Sequence, residues 1–159
     1  MPWKVIVSGL LVTAAILLCG AACDRGIDRA AAPDIETSTS GELVREATEF
    51  GGWRLPSGAK VLLAQRETVG AKKYRIAVSM SAVDVQPMLA KSNFTSAFNK
   101  LYQTSLVKII AGPELDTSPN VILAQDNYVP AEGKSAIREV VIDERDPQTR
   151  IVHLEFRGV

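Results

Sequence analysis

Lys73-Tyr-Arg-Ile-Ala-Val-Ser-Met-Ser81 is the stretch whose reading decides the fold. Tyr74, Ile76, Val78 and Met80 alternate with Lys73, Arg75, Ala77 and Ser79. A period of two sends one set toward a core and the other toward water, which is the pattern of a half-buried strand. Just upstream, residues 60–67 read as a second strand, with Val61, Leu63 and Gln65 on one face and Leu62 and Ala64 on the other. Gly70 within Thr68-Val-Gly-Ala71 allows the chain to reverse between them, so the two strands are expected to form a hairpin. Leu55-Pro-Ser-Gly58 is a turn that leads into it, and Trp53 is expected to cap one end of the core.

The C-terminal end repeats the pattern. In residues 137–143, Val140 and Ile142 share a face with Arg138. In residues 150–157, Val152, Leu154 and Phe156 share one face, and Ile151, His153 and Glu155 the other. The polar turn around Pro147 joins them, predicting a second antiparallel hairpin. Between the hairpins, Asp84 is a candidate helix N-cap with Pro87 in the first turn, so Val85, Met88 and Leu89 face the sheet and Ser92-Asn93 ends the helix. Phe94, Phe98, Leu101, Tyr102, Leu106, Ile109 and Ile110 recur at intervals of three and four, predicting a second helix that stops at Gly112-Pro113. Residues 105–110 also fit a strand. Residues 121–125 read as a short strand. The expected fold is α+β: an antiparallel sheet of four to five strands (two hairpins) with one or two helices packed on one face. Strands and helices do not alternate as βαβ units, and there is no internal repeat.

The N-terminus reads as a targeting segment. Lys4 and the amino terminus are positive, residues 5–23 carry no charge, and residues 5–18 are an apolar run. Gly20-Ala21-Ala22 then precedes Cys23. A positive head, an apolar middle and a small-residue exit make a secretory signal over residues 1–22. An uncleaved anchor also fits a run of this length. Either way the following residues lie outside the cytoplasm, because the positive end stays within it. Residues 23–50 are expected to be a lipidated N-terminus and flexible tether, since 24–40 contain only Ile27 and Ile35 as sizeable apolar groups. A short helix is expected over 41–50, through Leu43, Val44 and Ala47, before Gly51-Gly52 opens the folded domain of residues 51–159.

Composition excludes several function classes. Eighteen Lys and Arg balance 18 Asp and Glu, so there is no excess of cations for phosphate backbones, and no nucleic-acid partner is expected. With only Cys19 and Cys23, both near the N-terminus, thiol catalysis, disulfides and thiolate metal ligation have no place in the domain. His153 beside Glu155 is the arrangement of a base with an orienting carboxylate, but no nucleophile accompanies it. Asp143, Glu144 and Asp146 cluster in one turn, with Arg145 among them and without the spacing of a calcium loop. Ser105-Leu-Val-Lys108 matches a Ser-x-x-Lys pattern with no accompanying signature. No cofactor, metal or enzymatic activity is expected.

The residues Gly20-Ala-Ala-Cys23 resemble a lipobox, with Gly20 where that motif commonly has Leu. Together with Trp53-Arg-Leu-Pro-Ser-Gly-Ala59, Ala124-Gln-Asp-Asn-Tyr128, Arg138-Glu-Val-Val-Ile-Asp143 and Ile151-Val-His-Leu154, the chain resembles small uncharacterised membrane lipoproteins of actinobacteria. That resemblance implies a single secreted domain held at the outer face of the membrane by a lipid on Cys23. It brings no activity. The expected role is a non-catalytic binding module of the cell envelope, with an envelope protein or a small ligand as partner. A protein-interaction lipoprotein of assembly or immunity type, or an envelope hydrolase using His153, are the other readings. Gln125, Asp126, Arg138, Glu139 and His153 are the polar groups on apolar strands. They are expected to form either a buried network or an exposed recognition patch.

Overall fold

The computed structural model describes Ala32–Val159; the signal segment and Cys23 lie outside the described residues. Seven strands form one antiparallel sheet: β1 (Asp34–Ser38), β2 (Lys60–Val69), β3 (Ala71–Ser81), β4 (Asn99–Lys100), β5 (Val121–Tyr128), β6 (Ala136–Asp143) and β7 (Thr149–Gly158). Two helices accompany them, α1 (Gly41–Phe50) and α2 (Val85–Lys91). The strand order is β1-β2-β3-β7-β6-β5-β4. After β3 the chain crosses through α2 and a long irregular segment to the far edge. It then returns through β5, β6 and β7, so the last strand closes against β3 at the centre.

Both expected hairpins are present. Gly70 turns β2 into β3 with φ of 70°, a conformation that glycine adopts without a Cβ clash. Tyr74 lies opposite Phe156, Ile76 opposite Leu154 and Val78 opposite Val152 across the central β3–β7 pair. On the same face, Val140 and Ile142 of β6 lie opposite Leu154 and Val152. Val85, Met88 and Leu89 of α2 and Leu43 and Ala47 of α1 complete this core, with Trp53 and Phe94 at one end. The α+β class and the placement of helices on one face therefore stand. The strand count does not: seven strands are formed where four to five were expected.

Three differences separate the observed sheet from the expected one, and two of them, β1 and β4, add strands. Residues 34–38, expected in the tether, form edge strand β1 along β2. A ladder needs only backbone groups, and here Glu36 also pairs with Arg66. Together with α1, residues 34–38 belong to the same compact unit as residues 51–159. The short strand expected over 121–125 extends to Tyr128, because its residues pair with the whole of β6.

The third difference is the helix expected over 94–110, which does not form. Phe94 and Phe98 join the main core, whereas Leu101, Val107 and Ile109 pack on the opposite face against Leu115, Val121 and Val141. The apolar intervals belong to a strap that wraps around the sheet edge, not to one helical stripe. β4 marks where the strap crosses that edge, and Leu101 N–H donates to the Val121 carbonyl just beyond it.

Candidate functional site

Strand alternation divides the five candidate residues into two groups. Asp126 and Arg138 are directly opposite each other on the helix-covered face. Gln125 and Glu139 are opposite each other on the strap-covered face, where Glu155 also lies opposite Glu139 and His153 opposite Val141. They are not one patch.

Arg138 is 2% exposed and uses all five of its guanidinium N–H groups. Nε donates to Asp126 Oδ1 at 2.7 Å and Nη2 to Asp126 Oδ2 at 2.5 Å. Nη1 donates to the carbonyls of Ser92 (2.8 Å) and Gly51 (3.3 Å), and Nη2 to that of Asn93 (3.2 Å). Its carbon centre lies 5.0 Å from the Tyr128 ring, 5.3 Å from Phe94 and 5.5 Å from Trp53. The cation thus ties the end of α1, the end of α2 and strands β5 and β6 together inside an aromatic box. Gly52, at φ of 59°, passes so close to Tyr128 that a Cβ would come within 2.3 Å of the ring. This is the buried network of the two expected alternatives, and the chain itself fills it.

The strap-covered face is polar and partly closed. Arg75, 8% exposed, donates to Glu155 at 2.8 Å, Gln65 at 2.9 Å and Glu67 at 3.1 Å. The Glu139 carboxyl is pushed up, first by burial and then by the Glu155 charge. Gln125 is exposed at the far side.

His153 departs most from expectation. It sits on the face opposite the main core, as the alternation requires, but it is 7% exposed and not a surface imidazole. Residues 107–112 lie over it. A Cβ on Gly112 would lie 3.6 Å from its Cε1, in ordinary contact, and it is the φ of 98° that calls for glycine at this turn of the strap. Neither ring nitrogen has a hydrogen-bond partner. Burial holds the imidazole down to about 4, with Asp143 opposing the shift and Arg145 adding to it. A cavity of about 10 Å³, lined by His153, Glu139, Glu155, Arg75, Lys108 and Ile109 among others, adjoins it. That is the size of one water at most. A base needs a reacting group within hydrogen-bond reach, and Glu155, its expected orienting partner, is engaged by Arg75 instead.

The last turn is equally committed. Asp143 is fully buried and accepts from Ser118 Oγ at 2.6 Å and from Arg145 Nε at 2.7 Å. Glu144 accepts from Asn120 at 2.6 Å, and Asp146 from the backbone N–H groups of Gln148 and Thr149 at 2.8 Å each. No group of three His, Cys, Asp or Glu among the described residues could hold a metal ion.

What remains accessible is shallow. An open groove of about 280 Å³ runs beside Thr104, Ser105, Val107, Ile109, Glu114 and Leu115. Tyr102 and Leu106 stand out from the strap, 83% and 75% exposed. The helical reading of the strap hid these two residues, because it placed them on a core-facing stripe. Compared with protein-family models, curated proteins and solved structures, the chain shows no match.

Proposed function

We propose that this chain is a lipid-anchored extracytoplasmic protein, a non-catalytic binding module of the cell envelope. The observation that carries the reading is the charge-free run over residues 5–23, preceded by Lys4 and closed by Gly20-Ala21-Ala22-Cys23. Cys23 is the acylated residue in this reading.

The domain supports a binding role over a hydrolytic one through the state of its polar groups. Arg138, Asp126, Asp143 and Arg75 each spend their hydrogen-bonding capacity on the chain itself. His153 is sealed and has no partner. Preformed catalytic sites leave such groups aimed at an accessible volume, and here they hold the sheet, its helices and the strap together. No helix among the described residues is long and apolar enough to cross a membrane.

The test compares the wild-type chain with Cys23→Ala in its native membranes. Acylation predicts an N-terminal peptide beginning at a lipid-modified Cys23, membrane recovery of the wild type, and loss of both in the variant. An intact, unmodified N-terminus on the membrane-bound protein would overturn the anchor. Crosslinked co-purification of the same pair then reads the partner: a stoichiometric protein with the wild type marks a protein-interaction module. Turnover of an envelope substrate that His153→Ala abolishes would refute the non-catalytic reading.

A further inference from the structure

We infer that the crest of the strap, Tyr102 and Leu106 with Lys100 beside the Tyr102 ring, is a lipid-contacting surface that rests on the membrane. The inference builds on the anchored reading above, which brings the domain to a bilayer, and adds which side of it faces the lipid.

The strap has an inner and an outer side. Leu101, Val107 and Ile109 turn inward onto the satellite core around Val121 and Val141. Tyr102 and Leu106, four residues apart, turn outward with 83% and 75% of their surfaces exposed. The crest between them is held by its own backbone. Leu106 N–H donates to the Gln103 carbonyl and Val107 N–H to that of Thr104, while Leu101 N–H is pinned to Val121. A braced turn thus holds an exposed Tyr and an exposed Leu out to solvent as an apolar wedge.

The charge around the wedge suits lipid headgroups. From Lys91 to Pro113 the chain carries three lysines and no Asp or Glu; Lys91 ends α2 and Lys108 lies toward Glu67 over the sheet, which leaves Lys100 at the crest. Lys100 Nζ lies 5.7 Å from the Tyr102 ring, so cation and aromatic stand together. Glu114 and Asp116 lie beyond Ser105 along the groove, and Arg145 reaches the Glu114 carbonyl between them. Aromatic rings settle at headgroup depth, aliphatic side chains reach the acyl boundary, and lysines beside them bind lipid phosphates. The acids make the attraction modest, so apolar insertion and not charge is the main contribution.

A lipid surface fits this crest better than a protein does. A stable protein interface buries about 800 Å² on each side around a closed apolar centre. Here Gln103, Thr104 and Ser105 separate the two apolar side chains, and an open groove rather than a closed apolar centre lies beside them. A narrow wedge suffices for a tethered domain, because attachment raises its effective concentration at the bilayer. The tether is long enough. β1 and β4 are opposite sheet edges, six strand spacings or about 29 Å apart. The eleven residue steps from Cys23 to Asp34 reach about 36–40 Å when extended.

The experiment places the photoreactive residue p-benzoylphenylalanine at position 106 of the full chain, in native membranes, with position 129 as the control. Val129 is 73% exposed and follows Tyr128, at the opposite end of β5 from Val121, where the strap is pinned. The expected result is phospholipid adducts at position 106 at least fivefold above position 129. Adducts to a protein at 106, or lipid adducts no more frequent than at 129, would overturn the inference. Recovery of the chain in the soluble fraction would instead refute the anchor. The crest is then decided separately by adding the purified full chain to phosphatidylglycerol–phosphatidylcholine vesicles, where the same lipid adducts support it and their absence refutes it. Tyr102→Ser with Leu106→Ser, both solvent-facing, should leave the circular dichroism spectrum unchanged. On those vesicles it should abolish the slowing of amide exchange over 101–110 that the wild type shows.

Discussion

His153 makes the stability of this domain depend on pH, and the size of the effect follows from its burial. The imidazole is sealed under residues 107–112 with both nitrogens unpartnered, and burial lowers it from an ordinary 6.5 to about 4. The unfolded chain therefore binds a proton between these values that the folded chain refuses. Stability is complete above pH 6.5 and is lost as the pH falls toward 4. The total loss is about 3 kcal/mol below both values, since each unit of difference is worth roughly 1.4 kcal/mol. Between pH 7 and pH 5 it comes to about 2 kcal/mol. With a urea slope of about 2 kcal/mol/M, the unfolding midpoint should fall by about 1 M over that interval. The comparison protein is His153→Leu, which fills the site without a titratable group. It should be at least as stable at pH 7, because it removes two buried polar atoms that bond to nothing. It should lose little between pH 7 and pH 5. The hydrogen bond from Tyr74 holds Glu46 low, and the backbone N–H groups of Gln148 and Thr149 do the same for Asp146, so both proteins weaken at still lower pH. Burial and the Glu155 charge act in the opposite sense on Glu139, again in both proteins. Equal midpoint shifts in wild type and variant between pH 7 and 5 would refute the argument and show that the imidazole has access to solvent.

Other perturbations test the remaining supports. Arg138→Met should cost about 3–5 kcal/mol in chemical denaturation, because it strands the Asp126 carboxylate and three carbonyls. Arg138→Lys should recover only part of that, since an ammonium cannot reach five acceptors lying in this fork. Gly52→Ala should lower the thermal midpoint by about 10 °C, as it meets both the positive φ and the Tyr128 ring. Ser40→Ala should destabilise the domain by about 0.5–1 kcal/mol by removing the hydroxyl that accepts from Leu43 N–H at the start of α1. Urea midpoints measure that change against the wild type.

The candidate site was legible in its residues but not in its grouping. Arg138 stood out because a cation sat on an apolar strand face with Val140 and Ile142, and that face is the core. Its acceptors did not stand out. Three of them are the backbone carbonyls of Gly51, Ser92 and Asn93, and no side-chain identity marks a carbonyl that a distant arginine will use. The ring partners Trp53, Phe94 and Tyr128 come from three separate segments, so only Trp53 was expected at a core end. Gln125 and Glu139 were adjacent in sequence to the pair that matters, and the pleat put them on the other side.

Local periodicity determined the two hairpins, α1, α2 and the inward faces of β3, β6 and β7, because each depends on side chains only two to four residues apart. The sequence also determined the absence of thiols from the domain and the pattern of its N-terminus. Tertiary structure alone decided the seven-strand order, the edge strand β1 and the course of the strap. Intervals of three and four in residues 94–110 fit a helix by themselves. Yet the main core took Phe94 and Phe98, and the second face of the sheet needed Leu101, Val107 and Ile109. One helical stripe cannot reach both faces, so the chain gave up the helix and wrapped the edge. That choice buried His153 and left Tyr102 and Leu106 outside.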